Sequence, residues 1–186
     1  MAQAKILAIC GSLRKASFNR RILAFAVQGA REAGGEVEEC DLDLPLYNGD
    51  IEAQGLPPKV VALRDKIAAA DGLLIAAPEN NHGLSAALKN AIDWASRPPS
   101  VWPGKVAASC GATSGLFGTV RASIQLRTTL AAVQVTLLPQ HVWVSQVHKK
   151  FDDQEKFGDT EAIQKLKELG ALLVKTVGVT AVAVAS

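Results

Sequence analysis

The feature that most limits the fold of this chain is a regular alternation of short apolar runs with longer segments of helical periodicity. The runs Lys5–Cys10, Gly72–Ala77 and Val106–Cys110 contain almost no polar residues. A strand that is apolar at nearly every position is buried on both faces, which is typical of a parallel sheet covered by helices on each side. The alternation therefore predicts an α/β fold with helices on both faces of the sheet.

Two further strands and five helices complete this pattern. Glu36–Asp41 alternates weakly, as an edge strand does, and Val133–Leu138 is predicted as the last strand. Five parallel strands joined by right-handed crossovers favour the flavodoxin-like order 2-1-3-4-5. The predicted helices cover Phe18–Ala30, Lys59–Ala70, Leu84–Ala95, Gly118–Ala132 and Thr160–Val177.

The chain has 186 residues and 48% hydrophobic residues, enough for one domain with its own core. It contains no internal repeat and no linker long enough to divide it. We therefore predict a single domain over 1–186, with a charged loop at His148–Thr160 that could be mobile. The apolar tail at 178–186 is predicted to be a frayed helix end or disordered.

Charge and cysteine content narrow the class of protein. The net charge of +2 is too small, and the aromatic content of 5% too low, to favour a nucleic-acid binder. The three cysteines, Cys10, Cys40 and Cys110, are widely spaced and odd in number, which argues against a disulfide framework and favours a reducing cytoplasm. We expect neither a signal peptide nor a membrane-spanning segment, because no apolar run approaches about 20 residues.

Two loops of this fold are expected to face each other. In an open parallel sheet, ligands bind beyond the carboxyl ends of the strands, where neighbouring connections diverge. The first strand is followed by GSLRKASFNRR, Gly11–Arg21, and the third by PENNHG, Pro78–Gly83. Both are polar and contain glycine. They therefore form the predicted ligand site, although PENNHG alone could be an ordinary polar turn before a helix.

The loop after the first strand favours an anion. Each cation at the start of a helix interacts unfavourably with the helix dipole and costs about 0.3–1 kcal/mol of stability. A bound anion makes this interaction favourable. The alternative is a solvated basic loop with Ser17 as a helix cap. Neither GxxxxGK[ST] nor GxGxxG is present, which favours a phosphate monoester over a pyrophosphate. The basic residues are Arg14, Lys15, Arg20 and Arg21, and the candidate phosphate ligands are Ser12, Arg14, Ser17 and Asn19.

Three segments together resemble the NADPH-dependent FMN reductase family, which includes bacterial quinone, azo and chromate reductases. These segments are GSLRKASFN, PENNHGLSAALKNAIDW and GKVAASCGATSGLFGTVRA, and the resemblance runs from the first strand to about Pro139. The first segment matches the usual GSxRxxSxN at every fixed position. The second departs from the family at Asn80, where tyrosine is usual, and at Ser85, where proline is usual.

The resemblance implies a binding site for FMN. The strand-1 loop would hold the phosphate, and the backbone of PENNHG would contact the flavin ring. The loop GATSGLFGT, Gly111–Thr119, would meet the pyrimidine end of the ring. The cofactor-binding residues so implied are Ser12, Arg14, Ser17, Phe18, Asn19, Pro78, Glu79, Asn80, Asn81, Ala112 and Thr113.

The activity implied is that of an FMN-dependent NAD(P)H oxidoreductase with a ping-pong mechanism. Electrons would pass through FMN to quinone-like acceptors, azo compounds, chromate or free flavin. The residues do not distinguish NADPH from NADH, and they predict no catalytic acid or base and no metal site. His82 is interpreted as a surface residue rather than a general acid. The alternatives are a flavodoxin-type electron carrier, which the charge of +2 disfavours, and a non-catalytic flavin-binding protein.

The resemblance also implies a homodimer or homotetramer. The segment Leu46–Asn48 and the helix Leu84–Trp94 are candidate pieces of the interface. Trp94 itself is expected to serve in packing or in a subunit contact. Lys89 and Asp93 are four residues apart and are expected to pair on the helix surface.

Overall fold

The computed structural model describes residues 3–154 and 156–185, with side chains described as far as residue 178. The strands are β1 (Lys5–Cys10), β2 (Glu36–Cys40), β3 (Gly72–Ala76), β4 (Glu79–Asn80), β5 (Gly83–Leu84), β6 (Val106–Ala112) and β7 (Thr136–Val144). The α-helices are α1 (Phe18–Glu32), α2 (Gly49–Glu52), α3 (Pro58–Ala69), α4 (Ala86–Ala95), α5 (Val120–Ala132) and α6 (Thr160–Ala185), and a 3₁₀ helix covers Val147–Lys150.

The main sheet has five parallel strands in the order β2-β1-β3-β6-β7. Counted along these five strands, the order is 2-1-3-4-5, so the predicted flavodoxin-like topology is confirmed. The first crossover runs outward from β1 to β2, and the next returns across β1 to β3. The loops that follow β1 and β3 therefore diverge at the carboxyl edge of the sheet.

The strands are apolar at almost every position because each face of the sheet has its own core. Alternate side chains of a strand point to opposite faces. Ile6 and Ala8 pack on the face covered by α1 and α6, whereas Leu7 and Ile9 pack on the face covered by α3, α4 and α5. All four side chains are no more than 2% exposed. The helices therefore cover both faces, as the unbroken apolar runs predicted.

Helices α1 and α6 cross with their backbones in contact. A Cβ atom added to Gly170 would overlap the carbonyl oxygen of Ala26, and one added to Gly29 would overlap the backbone of Lys167. Only glycine fits at either position, and the contact fixes how α1 lies on the sheet.

The prediction for the last strand was wrong. The strand covers Thr136–Val144 rather than Val133–Leu138. Gln134 has a left-handed φ of 63° and belongs to the turn that ends α5, so the strand begins later. It continues past Pro139 because β7 is an edge strand with a register shift opposite Ala107 and Ser109, where a missing N–H is tolerated.

One other segment differs from the predictions, and the expected mobility of His148–Thr160 stays a prediction. The stretch PENNHG is not a simple turn, since it forms the antiparallel pair β4–β5, and α4 accordingly begins at Ala86 rather than Leu84. Within the segment 148–160, Phe157 is buried and pairs with Phe151. The backbone of α6 continues to Ala185, beyond Val177. A frayed or disordered tail at 178–186 stays a prediction, because the side chains from 179 onward and all of Ser186 lie outside the described residues. No helix in the described part of the chain is long and apolar enough to cross a membrane.

Arg64 is a buried cation whose role is to end helix α4. Only 8% of its surface is exposed. Its guanidinium group donates to the carbonyl oxygens of Trp94 and Ala95 at 3.2 and 3.4 Å, and to those of Arg97 and Pro99 at 2.9 and 2.7 Å. The last carbonyl groups of a helix have no hydrogen-bond partner within the helix. Here one guanidinium group bonds two of them, together with two carbonyl groups of the chain that follows α4.

We expect Arg64→Ala to lower the free energy of unfolding by about 3 kcal/mol, because it leaves buried carbonyl groups without a donor. Urea unfolding measures the change, and the midpoint should fall with an unchanged slope. Arg31→Ala is the matched control, since Arg31 donates to one carbonyl at 3.3 Å and is exposed. Equal losses in the two variants would contradict this role for Arg64.

Candidate functional site

A cleft of about 410 Å³ lies at the carboxyl ends of β1, β3 and β6. This is within the usual size range of small-molecule sites, about 300–1,000 Å³. The cleft brings together ten of the eleven cofactor-binding residues expected from the sequence, and Asn81 is the exception. The ten are Ser12, Arg14, Ser17, Phe18, Asn19, Pro78, Glu79, Asn80, Ala112 and Thr113.

Asn81 lies at the tip of the β4–β5 hairpin instead. Asn81 and His82 form its two-residue turn with left-handed φ values of 49° and 66°. Two successive positive φ angles are the geometry of a type I′ turn, which asparagine tolerates well. Asn81 is exposed and does not line the cleft, whereas its neighbour Asn80 does.

The start of helix α1 opens into the cleft without a side-chain cap. Ser17 occupies the N-cap position with extended backbone angles, as expected, but its hydroxyl makes no cap hydrogen bond. No acidic residue lies in the first turn. The first N–H groups of a helix have no partner within it, and the helix dipole adds positive potential there. This helix start is therefore suited to an anion.

Asn19 clamps two walls of the cleft together. Its amide Nδ2 donates to the carbonyl oxygen of Ala112 at 2.9 Å, and its Oδ1 accepts from the N–H of Ala112 at 2.9 Å. The side chain is only 6% exposed. Asn19 thus joins the first turn of α1 to the end of β6. Its polar atoms are directed at the protein backbone rather than at a ligand.

Gly11 is required by the close approach of β1 to the loop after β3. Its N–H donates to the carbonyl oxygen of Ala76 at 2.8 Å. A Cβ atom at Gly11 would lie 2.7 Å from Cδ of Pro78, which is closer than side chains tolerate. The strand-1 loop and the strand-3 loop are therefore in contact at the floor of the cleft.

Glu79 also acts on the protein rather than directly on a ligand. Its carboxylate accepts from the backbone N–H groups of Arg121 and Ala122 at 2.9 and 3.2 Å, and pairs with the Arg121 guanidinium at 3.2 Å. It therefore caps helix α5. Partial burial acts to raise the pKa of Glu79, but the hydrogen bonds from Ala122 and Arg121 outweigh it and lower that pKa. The carboxylate is ionised at neutral pH and anchors the hairpin.

Ser85 is a cleft residue that the sequence analysis noted only as a departure from the family. Its side chain accepts from the N–H of Leu88 at 3.3 Å and so caps helix α4. The same hydroxyl donates to the carbonyl oxygen of Gly11 at 2.6 Å. The cap was missed because the predicted helix began at Leu84, which placed Ser85 inside the helix rather than before it. The bond to Gly11 spans 74 positions and has no signal in sequence.

Thr113 and Ser114 complete the third wall. The N–H of Thr113 donates to Val144 at 3.0 Å, and its carbonyl oxygen accepts from Val147 at 3.0 Å. The loop after β6 is thereby fixed to the end of β7. Farther along the same loop, Leu116 and Phe117 are 70% and 69% exposed.

The histidines and the predicted helix-surface residues lie outside this cleft. His82 is exposed at the hairpin tip, as interpreted from the sequence. His141 lies between Ser109 and Arg127, at 2.9 Å from Oγ and 2.6 Å from a guanidinium nitrogen. Burial, and then the charge of Arg127, lower the pKa of His141. Because Arg127 can only donate, His141 is neutral with its proton on Nδ1.

Trp94 is completely buried, and its indole N–H donates to Pro45 at 2.8 Å, so it is a packing residue. Lys89 and Asp93 form the expected pair at 2.6 Å. Among the described residues, no three of His, Cys, Asp and Glu are grouped as metal ligands.

Known proteins resemble this chain over most of its length. The sequence model of the NADPH-dependent FMN reductase family matches residues 4–149. An NAD(P)H-dependent FMN reductase of Pseudomonas aeruginosa is 44% identical over 167 residues, covering 88% of this chain and 90% of the relative. An NAD(P)H:quinone oxidoreductase of Solanum tuberosum is 40% identical over 185 residues, covering 94% of this chain and 95% of the relative.

A solved structure shows the same fold over nearly the whole chain. It is a flavoenzyme NAD(P)H:(acceptor) oxidoreductase from Paracoccus denitrificans, with a TM-score of 0.80 and 28% sequence identity. The match covers 94% of this chain and 97% of that structure.

The clamp of Asn19 can be tested against a second clamp outside the cleft. Asn90 is 7% exposed and likewise bonds distant backbone with both amide atoms, to Tyr47 and Pro45. We expect Asn19→Ala and Asn90→Ala each to lower the free energy of unfolding by about 2 kcal/mol. Asn19→Ala should accelerate hydrogen exchange at the Ala112 amide more than Asn90→Ala does, because it alone removes the acceptor of that amide. Slow exchange there in Asn19→Ala would contradict the clamp.

Proposed function

The chain belongs to the NADPH-dependent FMN reductase family, and from this premise we propose that the cleft holds FMN across its three walls. The protein is an NAD(P)H-dependent oxidoreductase with FMN as its cofactor. The proposal concerns where the cofactor lies, which residues hold it, and which acceptors it serves. The observation that carries it is the uncapped start of α1 inside a cleft that β4 and β6 also line.

The phosphate of FMN would lie at the start of helix α1. Ser12, Ser17 and Arg14 line this end of the cleft, and no carboxylate occupies the first turn of the helix. Backbone N–H groups, two hydroxyls and a guanidinium are the donors that a phosphate monoester takes. The donor set therefore fits the phosphate. Asn19 would contribute indirectly, by holding Ala112 in place.

The flavin ring would lie along the hairpin and the loop after β6. Pro78, Asn80 and Thr113 line this part of the cleft, with Ala86 and Ala87 adding small apolar side chains. The side chain of Glu79 bonds the start of α5 and so fixes the backbone of Pro78–Asn80. A rigid backbone wall suits the edge of a flat ring. This wall needs no aromatic side chain, so the replacement of the usual tyrosine by Asn80 is compatible with the fit.

Bound FMN would supply the redox chemistry, accepting a hydride from the nicotinamide and passing electrons to the acceptor. The chain supplies binding and orientation. Within the described lining of the cleft, the only ionisable side chains are those of Arg14 and Glu79. Glu79 is ionised and already bonded to α5. Neither of these two lining residues is thus available as a general acid or base, and we infer that catalysis rests on proximity and orientation. One shared open face favours a ping-pong order of substrates.

The proposed acceptors are quinones and similar compounds, and the potato relative is named as a quinone oxidoreductase. Azo compounds, chromate and free flavin belong to the same proposal, since an open cleft admits acceptors of varied shape. An electron carrier of the flavodoxin type is the second candidate. The net charge of +2 disfavours it, because such carriers are strongly acidic.

We also propose a homodimer or homotetramer in the cytoplasm. Leu46, Ile124 and Trp143 are 77%, 64% and 46% exposed, which leaves apolar surface that a second copy would cover. Leu46 belongs to the segment Leu46–Asn48 expected at an interface. All three cysteines are buried and free, as they are in a reducing compartment. Light scattering of the purified protein distinguishes monomer, dimer and tetramer.

The phosphate assignment predicts that Arg14→Ala combined with Ser17→Ala weakens FMN binding at least tenfold, because a cation and a hydroxyl donor are lost. Binding of riboflavin, which has no phosphate, should change less than twofold. Titration of flavin-free protein by fluorescence quenching measures both. Arg31→Ala, at the other end of α1, is the control for charge alone. Unchanged FMN affinity in the double variant would exclude the phosphate site.

The activity is tested by mixing the FMN-loaded protein with NADPH in the absence of oxygen. We expect the visible flavin band to bleach rapidly and to return when a quinone is added. Repeating the experiment with NADH gives the nicotinamide preference. A flavin band that persists after addition of either nicotinamide would favour the electron carrier.

A further inference from the structure

Ser85 joins two walls of the cleft through one hydroxyl. It lies between β5 and α4 and is 3% exposed. Its Oγ donates to the carbonyl oxygen of Gly11 at 2.6 Å and accepts from the N–H of Leu88 at 3.3 Å. A buried hydroxyl that both donates and accepts has a fixed orientation. The side chain is therefore set in one position relative to both walls.

The group that Ser85 bonds belongs to Gly11, the first residue of the strand-1 loop. The N–H of Gly11 is bonded to Ala76 at 2.8 Å, and a Cβ atom at Gly11 would lie 3.1 Å from Oγ of Ser85. Gly11 begins the segment Gly11–Ser17, which we call the phosphate loop. Ser85 ends the segment Pro78–Ser85, which we call the ring loop. The bond from Ser85 to Gly11 is thus a direct connection between the two loops.

We propose that Ser85 is a positioning residue that sets the separation of the phosphate loop and the ring loop, and thereby selects a ligand that spans both. The inference rests on the proposed function, in which FMN contacts the two loops at once. A ligand that contacts only the ring loop does not sense the separation. The bond should therefore matter for FMN and hardly at all for riboflavin.

A role in helix capping alone would have a different signature. Ser85 has a φ of −62°, which is the value that a proline ring imposes. A proline would keep this backbone angle but lacks the hydroxyl. In this chain the hydrogen bond to Gly11 supplies a restraint that a ring cannot. Proline and alanine variants consequently separate the fixed backbone angle from the bond.

The test compares Ser85→Ala, Ser85→Pro and Ser85→Thr with the unmodified protein. Flavin-free protein is titrated with FMN and with riboflavin, and the dissociation constants are read from fluorescence quenching. We expect Ser85→Ala and Ser85→Pro to weaken FMN binding about tenfold and riboflavin binding less than twofold. Ser85→Thr keeps the hydroxyl and should stay within threefold of the unmodified protein for both ligands.

The control for cap loss is Asp159→Ala. Asp159 caps helix α6 by accepting from the N–H of Ala162 at 2.9 Å and does not line the cleft. This variant should bind both flavins as the unmodified protein does. Thermal unfolding of each flavin-free variant shows how much stability each change removes.

Three results would overturn the inference. One is FMN affinity in Ser85→Ala equal to that of the unmodified protein. Another is normal FMN affinity in Ser85→Pro with weakened binding in Ser85→Ala, which would assign the effect to the backbone angle. The third is a parallel loss of FMN and riboflavin. Failure of the unmodified protein to bind either flavin would instead refute the proposed function, on which this inference depends.

Discussion

The pairing of β1 with β3 is the constraint on which the remaining structure depends. It brings Cys10 opposite Ala76 at the carboxyl edge of the sheet, and the next peptide, at Gly11, stays bonded to β3. The chains that leave these two strands then run in different directions, because β1 leads to the sheet edge and β3 leads back toward β6. A cleft opens where they separate. Its floor is so tight that a side chain at Gly11 would strike Pro78.

Three polar side chains keep the walls of this cleft in place. Asn19 holds the start of α1 to the end of β6, Ser85 holds the hairpin to β1, and Glu79 holds the hairpin to the start of α5. Each bonds backbone groups, and Glu79 also pairs with the side chain of Arg121. The site is therefore organised before a ligand arrives, and little conformational freedom remains to be lost on binding. Residues that resemble ligands in the sequence can serve a binding site by shaping it.

The sequence predicted the sheet well because burial on both faces leaves a local mark. The strands Lys5–Cys10 and Gly72–Ala76 were recognisable from residue types alone, the second with one residue too many at its end. The strand at Thr136–Val144 was misplaced because Pro139 interrupts its pattern, and only its edge position explains why the strand continues. The bonds of Glu79 to α5 and of Arg64 to the end of α4 join residues about 30 to 40 positions apart. Such contacts depend on the assembled fold, and no sequence spacing predicts them.

The crossing of α1 and α6 has a consequence for how this protein can change over evolutionary time. Gly29 and Gly170 bring the two backbones together, so no side chain lies between them at that point. Substitutions elsewhere in the core change the size of side chains between the helices and the sheet. They do not change the distance between α1 and α6 where the two backbones touch. The orientation of α1 therefore depends little on substitutions in the surrounding core. The loops at the mouth of the cleft can therefore vary, and change which acceptors enter, without altering the direction in which α1 points its positive end.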